Sequence, residues 1–137
     1  GGQVRHPDAA VSALADLEDA VAGLLPALER QGLAPANVTG LAAETGIDAQ
    51  VARKALTQLV SQGAVVRLGP EMHFAAPVIG QARERLVAHL TAHGSGTASE
   101  LREALGVSRK FAIPLLEYFD AQGVTRREGD ARTLRKA

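Results

Sequence analysis

Apolar residues recur at helical spacing along most of the chain, in short segments that glycines separate. Within residues 81–93, Leu86, Val87 and Leu90 fall on one face of a helix. The sequence "GSG" (94–96) follows and interrupts the pattern. These positions predict an amphipathic helix that ends before residue 94.

A capping box marks the beginning of the next helix. Thr97 and Glu100 are spaced so that each side chain can bond the backbone N–H of the other residue. A short helix is therefore expected as far as Leu105. Gly106 ends it, because glycine readily adopts the left-handed conformation of a helix C-terminus.

A third helix and a hairpin complete this half of the chain. Ser108 is expected to cap the helix and Gly123 to end it. The alternation of "VTRREGDARTLRK" around a Glu-Gly-Asp turn then predicts a β-hairpin. Three helices with a tight turn between the second and third, followed by a two-stranded ribbon, are the elements of a winged helix-turn-helix. The positions expected to face inward on the third helix are Phe111, Leu115, Leu116 and Phe119.

The same plan occurs earlier in the chain, offset by 60 residues. "ETGIDAQVARKALTQLVSQGAVVRLG" (44–69) aligns with "ALGVSRKFAIPLLEYFDAQGVTRREG" (104–129). Two copies are too few for a solenoid, so the predicted fold is mainly α with small β-hairpins, in two tandem winged-helix domains, 1–77 and 78–137. Identical residues meet at Gly46 and Gly106, at Leu56 and Leu116, and at Gln62-Gly63 and Gln122-Gly123.

The first copy follows the plan less closely. A helix is expected from near Pro7, with a break or kink at Gly23 and Pro26. Asp48 is a good cap for the third helix, and residues 64–75 give the hairpin. Residues 76–80 ("APVIG") are too few for a flexible linker, so the next helix should start almost directly and restrict the relative orientation of the domains.

Charge separates the two copies. Residues 1–80 hold five Lys or Arg against eight Asp or Glu, a net charge of −3, and residues 81–137 hold ten against seven, a net charge of +3. At the start of the third helix, Asp48-Ala49-Gln50 in the first copy is replaced by Ser108-Arg109-Lys110 in the second. Cations there oppose the helix dipole, and Pro114 lies further inside the same helix. A binding surface explains residues that the fold alone would not favour.

The hairpin of the second copy is basic as well. Winged helices commonly meet nucleic acid through the recognition helix and the wing, so the second copy is expected to bind nucleic acid and the first to act as a mildly acidic spacer. The alternative is a solvated surface in which Glu117 and Asp120 accompany the arginines on an exposed helix face. The candidate binding residues are Ser108, Arg109, Lys110, Thr125, Arg126, Arg127, Asp130, Arg132 and Arg135.

Other chemistry finds little support in the sequence. The chain has no cysteine, which fits a reducing compartment, and no apolar run long enough to span a membrane. His89 and His93 have a metal-ligand spacing, but no third ligand accompanies them. "GSGT" (94–97) lacks the Gly-Lys of a phosphate loop. No enzyme activity, metal or cofactor is expected, and the chain is expected to be a cytoplasmic monomer.

The second copy also resembles a known family. "SRKFAIPLLEYFDAQGVTRREGDARTLR" (108–135) is similar to the C-terminus of bacterial selenocysteine-specific elongation factors of the SelB type, and "GLAPANVTGLAAETGI" (32–47) is similar, more loosely, to the preceding winged helix. The resemblance implies the last two winged helices of such a factor, with the last one binding the selenocysteine insertion hairpin in mRNA. It also implies contact with the ribosome through the parent factor, whose GTPase part is absent from this sequence.

Two alternatives remain open at this point. A tandem winged helix can be a DNA-binding transcriptional regulator, although such regulators favour symmetric dimers and the sequence shows no spare apolar stripe for one. It can also be a purely structural or protein-binding tandem. Aromatic residues make up 3% of the chain, too few for a stacking platform, so composition does not separate RNA from DNA and the resemblance decides for RNA.

Overall fold

The computed structural model describes the backbone of residues 5–135 and the side chains of residues 16–135. The first repeat comprises three helices and a hairpin that we call the first wing (β1 and β2). The second repeat comprises three helices and the second wing (β3, β4 and β5). The elements are α1 (Arg5–Gln31), α2 (Val38–Thr45), α3 (Ala49–Ser61), β1 (Val65–Gly69), β2 (Met72–Ala75), α4 (Ala76–His93), β3 (Gly96–Thr97), α5 (Ala98–Leu105), α6 (Arg109–Ala121), β4 (Thr125–Glu128) and β5 (Ala131–Leu134).

The 60-residue offset holds in three dimensions. The bounds of α2 and α5 differ by 60 residues, as do those of α3 and α6. Gly46 and Gly106 end α2 and α5 with φ angles of 71° and 69°. The predicted capping box is present, with Thr97 Oγ1 accepting from the Glu100 N–H and the Glu100 carboxylate accepting from the Thr97 N–H. The mainly α fold with small hairpins is confirmed.

The predicted break in the first helix is wrong. α1 runs unbroken through Gly23 and Pro26. Its buried residues lie on both sides of the exposed Pro26 and form one stripe that packs against α3. Burying this stripe offsets the backbone hydrogen bond that a proline removes. The stripe consists of Ala20, Leu24, Ala27 and Leu28.

The second wing has a strand that the sequence did not predict. β1 and β2 form a two-stranded antiparallel sheet, whereas the second wing has three strands in the order β3-β5-β4. In β3, Gly96 pairs with Arg132 and Thr97 with Ala131. Two residues are too few to show a period of two, so the expected two-stranded ribbon is corrected to a three-stranded sheet.

Gly96 allows β3 to approach α5 closely, which gives a prediction. A Cβ atom at Gly96 would lie 2.8 Å from Cδ2 and 3.1 Å from Cγ of the buried Leu101. We expect Gly96→Ala to lower the free energy of unfolding by about 1–3 kcal/mol, measured by urea denaturation. Gly80→Ala is the control, because nothing lies within 4 Å of its added Cβ and alanine favours the helix. Equal midpoints for Gly96→Ala and the unmodified chain would contradict this packing.

The two repeats are joined without a linker. β2 ends at Ala75 and α4 begins at Ala76, so the expected direct start of the next helix is confirmed. The buried side chains form two cores that cross the junction: Phe74 of β2 belongs to the core of the second repeat, and Val78 of α4 belongs to the core of the first. The first wing is therefore part of the packing of both repeats.

Candidate nucleic-acid interface

The first turn of α6 is exposed and lacks a side-chain cap. Ser108 has the extended backbone of an N-cap residue, and its carbonyl accepts from the N–H groups of Phe111 and Ala112 at 3.1 and 3.0 Å. Its side chain makes no capping hydrogen bond, so the expected cap by Ser108 does not form. Arg109 and Lys110 are exposed beside it. The turn thus presents two cations and an uncapped positive helix end.

The equivalent turn of the first repeat is closed by its own carboxylate. Asp48 Oδ2 accepts from the N–H groups of Gln50 and Val51 at 3.0 and 3.3 Å. That cap satisfies backbone donors that an anionic ligand would otherwise bind. The contrast in sequence between the two copies therefore becomes a contrast between a capped and an uncapped helix start.

A groove runs between α6 and the second wing. On α6, Arg109, Ile113 and Glu117 follow one another at intervals of four residues, which places them on one face. Among the described residues, Ile113 is the one large hydrophobic side chain that is exposed, at 43%. It gives the groove, about 440 Å³ in volume, an apolar patch with charged neighbours. The groove is lined by Thr97, Ala98, Ser99, Ile113, Glu117, Arg127, Asp130 and Arg132.

The strand register divides the arginines of the second wing between its two faces. Arg127 lies opposite Arg132, and Arg126 lies opposite Thr133. Successive residues of a strand point to opposite faces, so Arg127 and Arg132 share the face toward α6 while Arg126 lies on the other. Arg126 and Arg135 line a wider depression of about 970 Å³, which Arg127 also borders. The predicted residues form two neighbouring surfaces rather than one patch.

Asp120 joins the second wing to α6. Its carboxylate accepts from Thr125 Oγ1 at 2.5 Å and from Arg132 Nε at 3.0 and 3.2 Å. Arg132 Nη2 lies 3.0 Å from Asp120 Oδ2, and the Arg132 side chain is 6% exposed. Thr125 and Arg132 are therefore buried, in contrast to Arg109, Lys110, Arg126 and Arg127, which are exposed.

Sequence reasoning placed Asp120 on an exposed helix face, and this was inaccurate. The side chain is 26% exposed and faces the wing. The repeat itself contains the signal that could have identified it, since the equivalent position of the first copy is the apolar Val60. A carboxylate at an inward-facing position needs a cationic partner, and Arg132 is that partner.

The groove of the first repeat has the same location but a different charge balance. Arg53 lies where Ile113 stands in the second repeat and pairs with Glu71 of the first wing at 3.0 Å. This hydrogen-bonded pair holds the pKa of Glu71 below its usual value and raises the pKa of Arg53. His73 pairs with Arg67 in the first wing as Arg132 pairs with Arg127 in the second, and burial lowers the pKa of His73. The first groove is thus partly neutralised by its own acid.

One feature of the wings is the same in both repeats. Arg67 Nε donates to the Gly69 carbonyl at 3.0 Å, and Arg127 Nε donates to the Gly129 carbonyl at 3.2 Å. Both arginines are exposed. Arg67 and Arg127 are therefore a matched pair: each makes the same hydrogen bond within its wing, but one lies beside the groove of the first repeat and the other beside the groove of the second.

The described residues contain no cluster of three His, Cys, Asp or Glu that could hold a metal ion. The rings of His89 and His93 have their centroids 4.4 Å apart and their planes tilted by 42°. No described helix combines the length and apolar character that crossing a membrane requires.

Comparison with known proteins places this architecture in a class. Residues 88–134 match the family described as elongation factor SelB, winged helix. A solved structure of the mRNA-binding domain of elongation factor SelB from E. coli, in complex with SECIS RNA, superimposes with a TM-score of 0.72 at 34% sequence identity. The superposition covers 85% of this chain and 98% of that chain. The chain is thus a winged-helix protein.

The chain belongs to the SelB family of elongation factors. It is 38% identical over 100 residues to the selenocysteine-specific elongation factor of Escherichia coli (strain K12), and 28% identical over 105 residues to that of Desulfomicrobium baculatum. These alignments cover 73% and 77% of this chain, but the chain spans 16% and 17% of the two relatives. A crystal structure of bacterial selenocysteine-specific elongation factor EF-Sec shares the fold, with a TM-score of 0.69 at 24% identity over 89% of this chain and 19% of that chain.

Proposed function

We propose that this chain is the mRNA-hairpin-binding module of a selenocysteine-specific elongation factor. The observation that carries this proposal is the similarity of this chain to a SelB mRNA-binding domain solved in complex with SECIS RNA. The similarity extends over 98% of that domain. The exposed cations at the start of α6 and on the second wing support it. The module itself is not an enzyme; GTP hydrolysis, contact with the ribosome and a cytoplasmic location belong to the proposed parent factor.

The domain organisation is part of the proposal. We infer two tandem winged-helix domains, residues 1–77 and 78–137, that work as a monomer. The second carries the RNA site, because its helix start is uncapped and its wing is rich in exposed arginines. Arg126 lies 3.6 Å from Glu128, while Arg127 and Arg135 form no ion pair among the described residues. The first contributes less charge to RNA binding, because Arg53 is paired with Glu71 and Asp48 occupies the helix start.

The nature of the ligand follows from the geometry of RNA. The major groove of A-form RNA is too deep and narrow for a recognition helix, so specific contacts fall on loops, bulges and splayed bases. A turn with exposed cations suits phosphates, and an apolar patch at Ile113 beside Asp130 suits an unstacked base. The residues proposed to contact RNA are Ser108, Arg109, Lys110, Arg126, Arg127, Asp130 and Arg135, while Thr125 and Arg132 hold the wing in place through Asp120.

Titration with RNA hairpins at several salt concentrations tests this function. A hairpin of the selenocysteine insertion type should bind more tightly than a hairpin with a scrambled loop, and more tightly than duplex DNA of the same sequence. With about five phosphate contacts, log affinity should fall with log salt at a slope of about −4. Equal affinity for duplex DNA would instead favour a transcriptional regulator.

The matched pair of wing arginines gives the next prediction. Arg127→Ala should weaken hairpin binding about tenfold and reduce the salt slope by about one, because it removes a phosphate contact beside the groove of the second repeat. Arg67→Ala removes an arginine with the same local hydrogen bond and should change affinity less than about twofold. Gel-shift titration measures both variants. Equal losses would indicate diffuse attraction and no localised site.

A further inference from the structure

The first wing packs against the proposed RNA-binding helix. Phe74 of β2 is fully buried in the core of the second repeat. Its ring lies edge to face with that of Phe111, with the ring centroids 6.0 Å apart and the planes at 83°. Such aromatic pairs add stabilisation beyond that of the area they bury. A residue of the first repeat thus packs directly on the first turn of α6.

This contact lies beside the residues that are proposed to bind RNA. Phe111 follows Arg109 and Lys110 in the chain, and Lys110 Nζ lies 5.3 Å from the centroid of the Phe111 ring. Lys110 and Phe111 also line a depression of about 210 Å³ whose opposite side is formed by the first wing from Gly69 to Met72. The orientation of the Phe111 ring therefore affects where the Lys110 ammonium group lies.

The α6 start has few other constraints. Ser108 supplies no side-chain cap, and Arg109 and Lys110 are exposed. In the first repeat the corresponding turn is fixed by Asp48. On the side of the turn that faces the core, the packing of Phe111 on Phe74 takes the place of a cap. The side that carries Arg109 and Lys110 stays exposed to solvent and open to a ligand.

We propose that Phe74 is a positioning residue for RNA binding, which acts through Phe111 on Arg109 and Lys110. This inference rests on the proposed function. It gives the first repeat a role beyond that of a spacer, because the first repeat supplies Phe74. A fragment of residues 80–137 would lack Phe74 and leave Phe111 without its aromatic partner.

Phe74→Leu in the full chain tests the proposal, with Leu90→Ala as the control. Leu90 is buried in the same core but lies on α4. Well below either melting temperature, Phe74→Leu should weaken hairpin binding about fivefold, whereas Leu90→Ala should stay within about twofold of the unmodified chain. Hydrogen exchange should become faster at the Phe111 and Ala112 amides in Phe74→Leu, with little change at the end of α6. Met72→Ala, at a half-buried site of the same wing, removes less buried side chain and should also weaken hairpin binding.

A double-mutant cycle separates positioning from general destabilisation. In a chain that carries Arg109→Ala and Lys110→Ala, adding Phe74→Leu should cause no further loss of affinity. The same fivefold loss in both backgrounds, or unchanged binding by Phe74→Leu, would overturn the proposal. If the unmodified chain binds no hairpin, the proposed function fails instead, and exchange at the Phe111 amide still tests whether Phe74 holds the α6 start.

Discussion

Asp120→Ala is expected to lower the free energy of unfolding by about 3 kcal/mol. The substitution leaves the guanidinium of Arg132, 6% exposed, buried without a counterion, and such losses cost about 3–5 kcal/mol when the partner is fully buried. Asp120 is 26% exposed, which reduces this cost, and the lost acceptor for Thr125 increases it. Chemical denaturation measures the change.

The double variant Asp120→Val, Arg132→Met provides the control. It removes both charges, so no unpaired ion remains in the interior, and it should be more stable than Asp120→Ala alone. Valine is also the residue at the corresponding position of the first repeat. If the double variant is less stable than Asp120→Ala, an unpaired Arg132 guanidinium does not carry the expected cost, and the loss in Asp120→Ala has another origin.

Ser108→Asp should stabilise the fold and weaken RNA binding together. Aspartate at this position can accept hydrogen bonds from the first-turn amides as Asp48 does in α3, which adds about 0.5–1 kcal/mol. The same carboxylate repels phosphates and occupies the amides that would bind them. We expect affinity for the hairpin to fall more than about tenfold, since the added charge opposes the contacts of Arg109 and Lys110.

Ser108→Asn separates the cap from the charge. Asparagine caps a helix about as well as aspartate but carries no charge, so it should stabilise the fold with a smaller loss of affinity. Thermal melts and RNA titrations on the two variants measure both quantities. If Ser108→Asp binds the hairpin as tightly as the unmodified chain, the start of α6 does not contact RNA, and the wing arginines must carry the site alone.

The repeated fold was predictable because its signals are local. The capping box of Thr97 and Glu100 and the helix-ending glycines Gly46 and Gly106 fix their elements through neighbouring backbone groups. The unbroken α1 and the strand β3 were not predictable in this way. α1 continues through Pro26 because of packing against α3, and β3 exists because distant β5 supplies its hydrogen bonds.

The sequence predicts where the candidate site lies, but it does not show which of the site's residues are exposed and which are buried. Comparing the two copies makes Arg109 and Lys110 candidates for binding, because a cation at a helix start conflicts with the dipole wherever the helix lies. Exposure in the wing depends on strand register, so the burial of Arg132 and its pairing with Asp120 needed the structure. The contact of Phe74 with Phe111 joins residues of different repeats, and no local pattern records it.

The burial of Phe74 in the second core also bears on how the chain folds during synthesis. Chains are synthesised from the amino end and fold as units in that direction, so the first wing exists before α6 has been made. During that interval Phe74, fully buried in the finished protein, has no second core to enter. We therefore expect the newly made first repeat to present an apolar ring, next to the start of α4, on which the second repeat can nucleate.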